Sequence, residues 1–505
     1  MTKLLSAVNS IVWGAPALVL ILGVGLCLTV CLGCVQLRLL PKAFRTLAGK
    51  LRAGDSGGVS SFQALCTALA ATVGTGNLVS VAGAICLGGP GAVFWMWVCG
   101  FLGMATKYAE AALAVRFRVK SGSGYAGGPM YVMTRGLGER FAPMAKLYCL
   151  FGILAAFGVG NAVQINSAVS GINTLLGTPG GSRGGNLLIG AVLAAVIGRM
   201  LLGGAKRIGK AAQLLVPFAA VCYIGMCAAV LAVKAEAVPG AFAAILQGAV
   251  SPKAVTGGML GSAFQALRVG CSRGVFTNEA GMGTASIAHA CADVQHPVEQ
   301  GMMGLVEVFL DTIVICTLTA LAILVSGVPI PYGREAGPEL TSLAFSGVLG
   351  QWAAAAIGAS LVLFAVATVL GWGLYGARCA EFLFGPGSWK WFSIVQILVI
   401  LFSATAETAA LWQLSEAVNG LMAIPNLITL AVLIPEVGRL TKEYRKSDGK
   451  PVSGGNYADF HQCKPLRTLS YEKVPPSGHG CQERGKEDLP SEHRPARPAH
   501  PGGLL

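Results

Sequence analysis

Two stretches decide the fold: Ala71-Thr-Val-Gly-Thr-Gly-Asn77 and Gly270-Cys-Ser-Arg-Gly-Val-Phe-Thr-Asn-Glu-Ala-Gly281. Each interrupts a long apolar run. In hydrocarbon an unpaired backbone N–H or C=O costs several kcal/mol, so a lipid-facing helix has no use for Gly-Thr-Gly or Thr-Asn-Glu at its middle. Backbone unwinds at that depth only where protein surrounds it or where it lines a wet cavity. Two interruptions about 200 residues apart, one in each half of a polytopic chain, mark the binding site of a secondary transporter.

The rest of the chain has the composition of a membrane protein. Of 505 residues, 54% are hydrophobic and 12% charged, and the mean hydropathy is +0.65. Soluble domains carry about a quarter charged residues. The 69 glycines suit closely packed membrane helices. A net charge of +14 raises nucleic acid as a partner, but the basic residues lie between apolar spans, which is topology. Of the 15 cysteines, most (Cys27, Cys31, Cys34, Cys66, Cys86, Cys99, Cys149, Cys222, Cys227, Cys316, Cys379) sit in or beside apolar runs as small hydrophobes. No Cys pair is accompanied by His at ligand spacing, so a zinc site is not expected. No Ser/His/Asp set or phosphate loop points to an enzyme; Gly122-x-Gly124 reads as a flexible turn.

Eleven stretches are apolar for the roughly 20 residues a span needs: 11–36, 60–87, 90–117, 146–176, 185–203, 211–234, 257–290, 300–327, 350–384, 391–410 and 411–437, the last two turning at Ala406-Glu-Thr408. The first reads as a retained span, too long for a cleaved signal. Lys and Arg crowd the connections after spans 1, 3 and 5 (Arg38, Lys42, Arg45, Lys50, Arg52; Arg116 to Lys146; Lys206, Arg207, Lys210), against Arg183, Lys234, Lys253 and Arg334 on the other side. The positive-inside rule then puts the N-terminus outside and the C-terminus in the cytoplasm. Residues 438–505, polar and rich in Pro and Gly, read as a disordered tail. Its basic start (Arg439, Lys442, Arg445, Lys446, Lys450) is either ordinary positive-inside bias or a contact for anionic lipid.

Ionisable and amide side chains inside spans mark candidate sites. At the first break, carbonyls of the first half-helix suit a hard cation and the amides opening the second suit a carboxylate; a packing kink is the other reading. At the second, Arg273, Asn278 and Glu279 are site, gate or structural charges, with Glu279 a partner for Arg273. Asn161 and Gln164, three apart, share a helix face. Thr368 offers a hydroxyl and Trp372 a wall. Lys107 with Glu110 reads as a local salt bridge, and Glu307 with Asp311 as two acids resisting joint ionisation.

Gly74-Thr-Gly-Asn77, Leu87-Gly-Gly-Pro-Gly-Ala-Val-Phe-Trp-Met-Trp97, Gly103-Met-Ala-Thr-Lys-Tyr-Ala-Glu110, Gly127-Gly-Pro-Met-Tyr131, and Gly274-Val-Phe-Thr-Asn-Glu-Ala-Gly-Met-Gly283 with Ala288-His-Ala290 closely resemble the sodium:alanine/glycine symporter family, from about residue 10 to 440. The resemblance implies an all-α, leucine-transporter-like fold of 11 transmembrane helices: an extra N-terminal helix (1–37), then inverted five-helix repeats in spans 2–6 (60–234) and 7–11 (257–437). It further implies a sodium site from Ala70, Val73, Phe364 and Thr368, and a substrate site from Thr75, Gly76, Asn77, Gly160, Gln164, Phe276 and Trp372. One position departs: the residue before Thr368, which commonly bears a hydroxyl in the family, is Ala367, leaving one oxygen fewer for a cation.

The expected function is import of a small neutral amino acid, alanine or glycine, with Na⁺ as coupling ion and no other cofactor, across the cell inner membrane. The rivals are proton coupling, through Glu279 or Glu307/Asp311, and, in a different class, a channel or sensor. Membrane lipid is the one further partner expected, and nucleic acid is not.

Overall fold

The computed structural model of the chain describes residue 9 and residues 12–52, 58–121, 124–178, 180–251, 256, 262–334, 337–406 and 408–447. The expected tail from 448 onward, the 122–123 turn, Lys253, the start of span 7 at 257 and Glu407 of the last turn lie outside these residues.

The first apolar helix, α1 (Ala15–Cys31), stops at a turn carrying Gly33 and Cys34, both at positive φ (63° and 53°). The chain leaves it at 76° as α2 (Val35–Arg52). Sequence patterning alone gave α2 as a charged connection. Its basic residues instead alternate with Leu39, Leu40, Ala43, Phe44 and Leu47, which pack against the core. Next come α3 (Ser61–Thr72), opened by a Ser60/Gln63 capping box, and α4 (Thr75–Gly88), bent 41° from it. α5 (Gly91–Arg116) is buried along most of its length. A two-stranded hairpin that the all-helical expectation lacked, β1 (Val119–Ser121) with β2 (Gly124–Ala126), pairs Val119 with Ala126.

α6 (Ala142–Phe157) runs through a π-helical turn, Gly158–Ala162, into α7 (Val163–Leu175). α8 (Arg183–Leu201), α9 (Gly204–Val233) and the short apolar α10 (Val238–Val250) follow. The second broken pair is α11 (Ala263–Asn278) and α12 (Thr284–Ala290). Between them Glu279, Gly281 and Gly283 take φ of 54°, 94° and 78°, so the chain turns there through backbone a helix does not use. α13 (Pro297–Val308) passes through a π-segment, Phe309–Cys316, into α14 (Thr317–Val325). After α15 (Pro338–Leu349) come α16 (Gln351–Phe384), α17 (Ser388–Ser403) and α18 (Thr408–Lys446). α18 continues past 437, where the polar tail was expected to start. Leu440 and Tyr444 are buried, and Arg439 bridges Glu436 and Glu443 one turn to either side.

Among the described residues, seven helices are long and apolar enough to cross a membrane, and up to nine if each of two bent pairs is one span. Those pairs are α1 with α2 and α3 with α4. α5 packs against α13 and α11, and α16 against α7, α6 and α9; α11 also packs against α4 and α12 against α3, so the breaks of α3/α4 and α11/α12 meet in the interior. Seven of the apolar cysteines (Cys66, Cys86, Cys99, Cys149, Cys227, Cys316, Cys379) are buried free thiols, as their setting suggested, while Cys27, Cys31, Cys34 and Cys222 are exposed.

Candidate substrate and ion site

The first break is held open by its own asparagine. In a continuous helix the Gly74 N–H donates to the Ala70 carbonyl; here it donates to Asn77 Oδ1 at 2.9 Å. Val73 adopts ψ 94°, turning its carbonyl off the helix line. Ala70 and Val73 thus present carbonyls that the ladder no longer occupies. Facing them from α16 is Thr368, 2% exposed. A threonine at this place ordinarily donates to the carbonyl four residues back, yet its hydroxyl has no partner among the described residues. It stands 2.5 Å from where a Cβ on Gly74 would sit. Freed carbonyls and an unpartnered buried hydroxyl are the hard oxygen donors a small cation takes. Phe364 turns its ring edge-on to Tyr223 at 5.9 Å, leaving only its backbone for that site.

On the other side of the break, α4 begins at Thr75, so the N–H groups of Thr75 and Gly76 open a helix and have no intrahelical acceptor. That is an anion-binding end. Thr75 Oγ1 donates to Gln164 Oε1 at 2.8 Å, and Gln164 Nε2 donates to the Val159 carbonyl at 3.1 Å, closing the π-turn onto the break. The Phe276 ring lies 3.8 Å from the Cβ position of Gly76. A Cβ on Gly160 would fall 2.3 Å from Trp372 Cβ, so only glycine lets the π-turn lie on the indole. The family-derived set Thr75, Gly76, Gly160, Gln164, Phe276 and Trp372 therefore gathers around one break.

Two of the expected roles change. Asn77 was expected to meet a carboxylate, but its oxygen caps Gly74 and its Nδ2 donates to Asp311 Oδ1 at 2.7 Å. It shapes the cradle from behind. Asn161 and Gln164 were expected to share a helix face, but Asn161 lies inside the π-turn and Gln164 in the α-helix after it, and their amides reach different elements. Asn161 Nδ2 donates to the Gln396 carbonyl of α17, away from Gln164.

The second break is tied to the first through the π-segment of α13–α14. Asp311 Oδ2 accepts from Thr312 Oγ1 at 2.8 Å, and Thr312 Oγ1 accepts from Asn278 Nδ2 at 3.0 Å. Asn77, Asp311, Thr312 and Asn278 form one buried hydrogen-bonded line between the two interrupted helices. No signal in the sequence singled out Thr312; Asp311 stood out only as an acid four residues from Glu307.

The remaining charges find long-range partners. Glu279 accepts from Thr284 Oγ1 rather than pairing with Arg273. Arg273 instead meets Glu416 of α18 at 2.9 Å, beside a cavity of about 250 Å³ that Trp13 also lines. Glu279 sits at the left-handed end of α11, with its carboxylate directed to Thr284 at the start of α12. Lys107 pairs with Glu307 at 3.3 Å rather than with Glu110. Glu307 also meets His289 Nε2 at 2.8 Å, and His289 Nδ1 meets Gln300, which accepts from Ser61. Glu110 Oε1 accepts from the Gly281 and Gly283 N–H groups and from Asn426 Nδ2, at 2.9, 3.1 and 2.7 Å. Glu307 and Asp311 are both fully buried, and each makes its direct contacts to a different partner, Lys107 and His289 for Glu307 and Asn77 and Thr312 for Asp311.

Two broken helices that meet in the interior, one offering carbonyls and the other end of the break offering amides, define a membrane secondary transporter. The architecture is similar to that of MhsT, solved in complex with L-phenylalanine, with a TM-score of 0.51 at 16% identity over 77% of this chain and 90% of that one. This likeness defines a leucine-transporter-like fold.

The profile of the sodium:alanine symporter family matches residues 1–454, and the chain belongs to that family. It is 42% identical to the sodium/alanine symporter AgcS of Methanococcus maripaludis over 457 residues, 89% of this chain and 99% of that protein. It is 37% identical to the probable sodium/glutamine symporter GlnT of Bacillus subtilis, over 88% and 91% of the two chains. The molecule is a multi-pass membrane transporter and not an enzyme.

Proposed function

We propose that this chain carries a small neutral amino acid, alanine or glycine, into the cell together with Na⁺ by alternating access. The observation that carries the reading is the first break. Ala70 and Val73 carbonyls and the unpartnered Thr368 hydroxyl stand on one side of Gly74, and the N–H groups of Thr75 and Gly76 on the other. A cation and a carboxylate bound there lie next to each other, so each lowers the cost of burying the other. Phe276 and Trp372 wall the remaining space, and one extra methylene in such a pocket is worth about 1–3 kcal/mol. Alanine over glycine is then a preference and not an exclusion. Ala367 supplies no hydroxyl, so Thr368 is the one side-chain oxygen of the proposed ion site.

The proposed layout takes α1 as the first span, adds the bent α3/α4 pair to the seven long apolar helices, and then adds the α11/α12 pair and the 16-residue α17, giving eleven. Residues 60–234 and 257–437 are then inverted repeats behind the extra helix at 1–37, with the N-terminus outside and the C-terminus in the cytoplasm. Spans 2, 3, 7 and 8 rock against 4, 5, 9 and 10. Sodium-jump uptake of labelled alanine and glycine in reconstituted vesicles tests the reading. Accumulation driven by an inward Na⁺ gradient is expected, and flux without accumulation overturns it in favour of a channel.

Proton coupling is the second reading. It is favoured by the carboxylates of Glu110, Glu279, Glu307 and Asp311, buried in the interior together with Lys107. Uptake that persists without sodium and collapses when ΔpH is dissipated selects it.

A further inference from the structure

Helix α2 has a surface that solute transport does not use. From Val35 to Arg52 it carries five basic residues (Arg38, Lys42, Arg45, Lys50, Arg52) and no acidic one. It leaves α1 at 76°, so where α1 runs along the membrane normal, α2 lies close to the membrane plane. One face is fixed to the protein. Gln36 Nε2 donates to the Phe101 carbonyl at 3.1 Å, Phe44 meets Phe309 edge-on at 5.7 Å, and Lys50 pairs with Glu299 at 2.7 Å. Lys42 stands over the Tyr444 ring at 4.7 Å.

The opposite face is open. Leu37 is 65% exposed, and Arg38, Pro41 and Arg45 are exposed beside it. On α1, Val19, Leu26 and Val30 are likewise exposed apolar side chains, spaced to lie on one face of that helix. Exposed apolar side chains beside guanidinium groups that have no acidic partner among the described residues, on a helix turned into the plane, match the boundary between acyl chains and headgroups.

We propose that the outer face of α2 is a docking surface for anionic phospholipid headgroups, with Leu37 against the acyl chains and Arg38 and Arg45 on the phosphates. Arg38 Nη1 also donates to the Gly33 carbonyl at 3.2 Å, which holds its guanidinium at the turn where α1 ends. Arginine suits this role because its planar fork takes phosphate oxygens in pairs. Through Phe44 on Phe309, the lipid-bearing helix rests on the π-segment that carries Asp311. Docking at α2 does not depend on which solute or ion the chain carries.

The test is native mass spectrometry of the full chain in detergent, titrated with phosphatidylglycerol or phosphatidylcholine. The wild type is expected to retain phosphatidylglycerol in preference. Each basic residue near a lipid surface contributes roughly fivefold to such binding, so Arg38→Gln/Arg45→Gln should weaken it on the order of twentyfold. Arg38→Lys/Arg45→Lys, which keeps the charge, should retain most of it. Lys442→Gln/Arg445→Gln, on the end of α18, should change it little. Wild-type binding by the Gln double variant, equal retention of the two lipids by the wild type, or an equal loss from the α18 variant would each overturn the proposal.

Discussion

Replacing Gly74 with alanine isolates the ion site by one methyl group. Gly74 has φ −146° and ψ −158°, extended backbone that any residue adopts, so Gly74→Ala introduces no backbone strain. The new Cβ would stand 2.5 Å from Thr368 Oγ1, whereas ordinary contact begins at 3.4 Å. The hydroxyl must therefore retreat by the difference, 3.4 − 2.5, or about 0.9 Å. Metal–ligand distances tolerate only about 0.2 Å, so Thr368 ceases to be a ligand. Overpacking of this kind costs about 1–3 kcal/mol, which is roughly fivefold to 150-fold in an equilibrium constant. The assay is the Na⁺ half-saturation of alanine uptake in proteoliposomes at fixed membrane potential. Thr368→Ala alone should raise half-saturation by removing the same ligand. In that background Gly74→Ala should add little, because the atom it strikes is gone; neighbouring sites that share a contact are non-additive in this way. A Gly74→Ala protein with wild-type sodium dependence, or one whose loss is undiminished beside Thr368→Ala, would refute the ion site.

Gly160→Ala drives a Cβ to 2.3 Å from Trp372 Cβ; a loss of about 1–3 kcal/mol in stability is expected, and an unchanged melting temperature would show the π-turn free to move. Asn77→Ala removes both the Gly74 cap and the donor to Asp311. Alanine binding by calorimetry should weaken at least about tenfold, the scale of one lost charge-assisted hydrogen bond, and near-wild-type affinity would defeat this role. His296 caps α13 by accepting the Val298 N–H at Nδ1, and burial holds its pKa below the ordinary 6.5. A depressed histidine pKa means the unfolded chain binds the extra proton first, so its stabilising contribution is present above 6.5 and is lost as pH falls through the folded value. Thermal scans should show acid destabilisation of about 1 kcal/mol from this cap, reduced in His296→Asn, which keeps a capping acceptor. The same acid slope in the variant would assign it elsewhere.

The breaks were legible because Gly-Thr-Gly and Asn-Glu-Ala-Gly contradict their apolar surroundings, and a sequence records that contradiction directly. The family motifs then located Thr75, Gly76, Gln164 and Trp372, which do gather. Partners of charges were not legible. Lys107 and Glu110 are three apart, which suggests a local pair, but the fold brings Glu307 to the lysine and turns Glu110 to the Gly281 and Gly283 amides. Arg273 likewise finds Glu416, more than a hundred residues away in sequence. Helix α2 was hidden for a related reason. Arg38 and Arg45 lie on the side away from the core while Lys42 and Lys50 reach partners on other helices, and read as a linear string these charges resemble a loop. The different partners of Asn161 and Gln164 go with a π-turn that contains Asn161, which no spacing rule announces.

The carboxylate of Glu110 takes its three hydrogen bonds from two different helical systems, the Gly281–Gly283 crossing and Asn426 of α18, and Asn426 also donates to the Gly281 carbonyl at 2.8 Å. It acts as a rivet through three thicknesses of the wall. The slack of the second crossing is thereby taken up, and in the rocking movement proposed above α11 and α12 would swing as one stiff lever with α5. Any opening that left α18 standing still must shear the amide of Asn426 from both its oxygens at once, which makes that residue the place where the stroke meets its resistance.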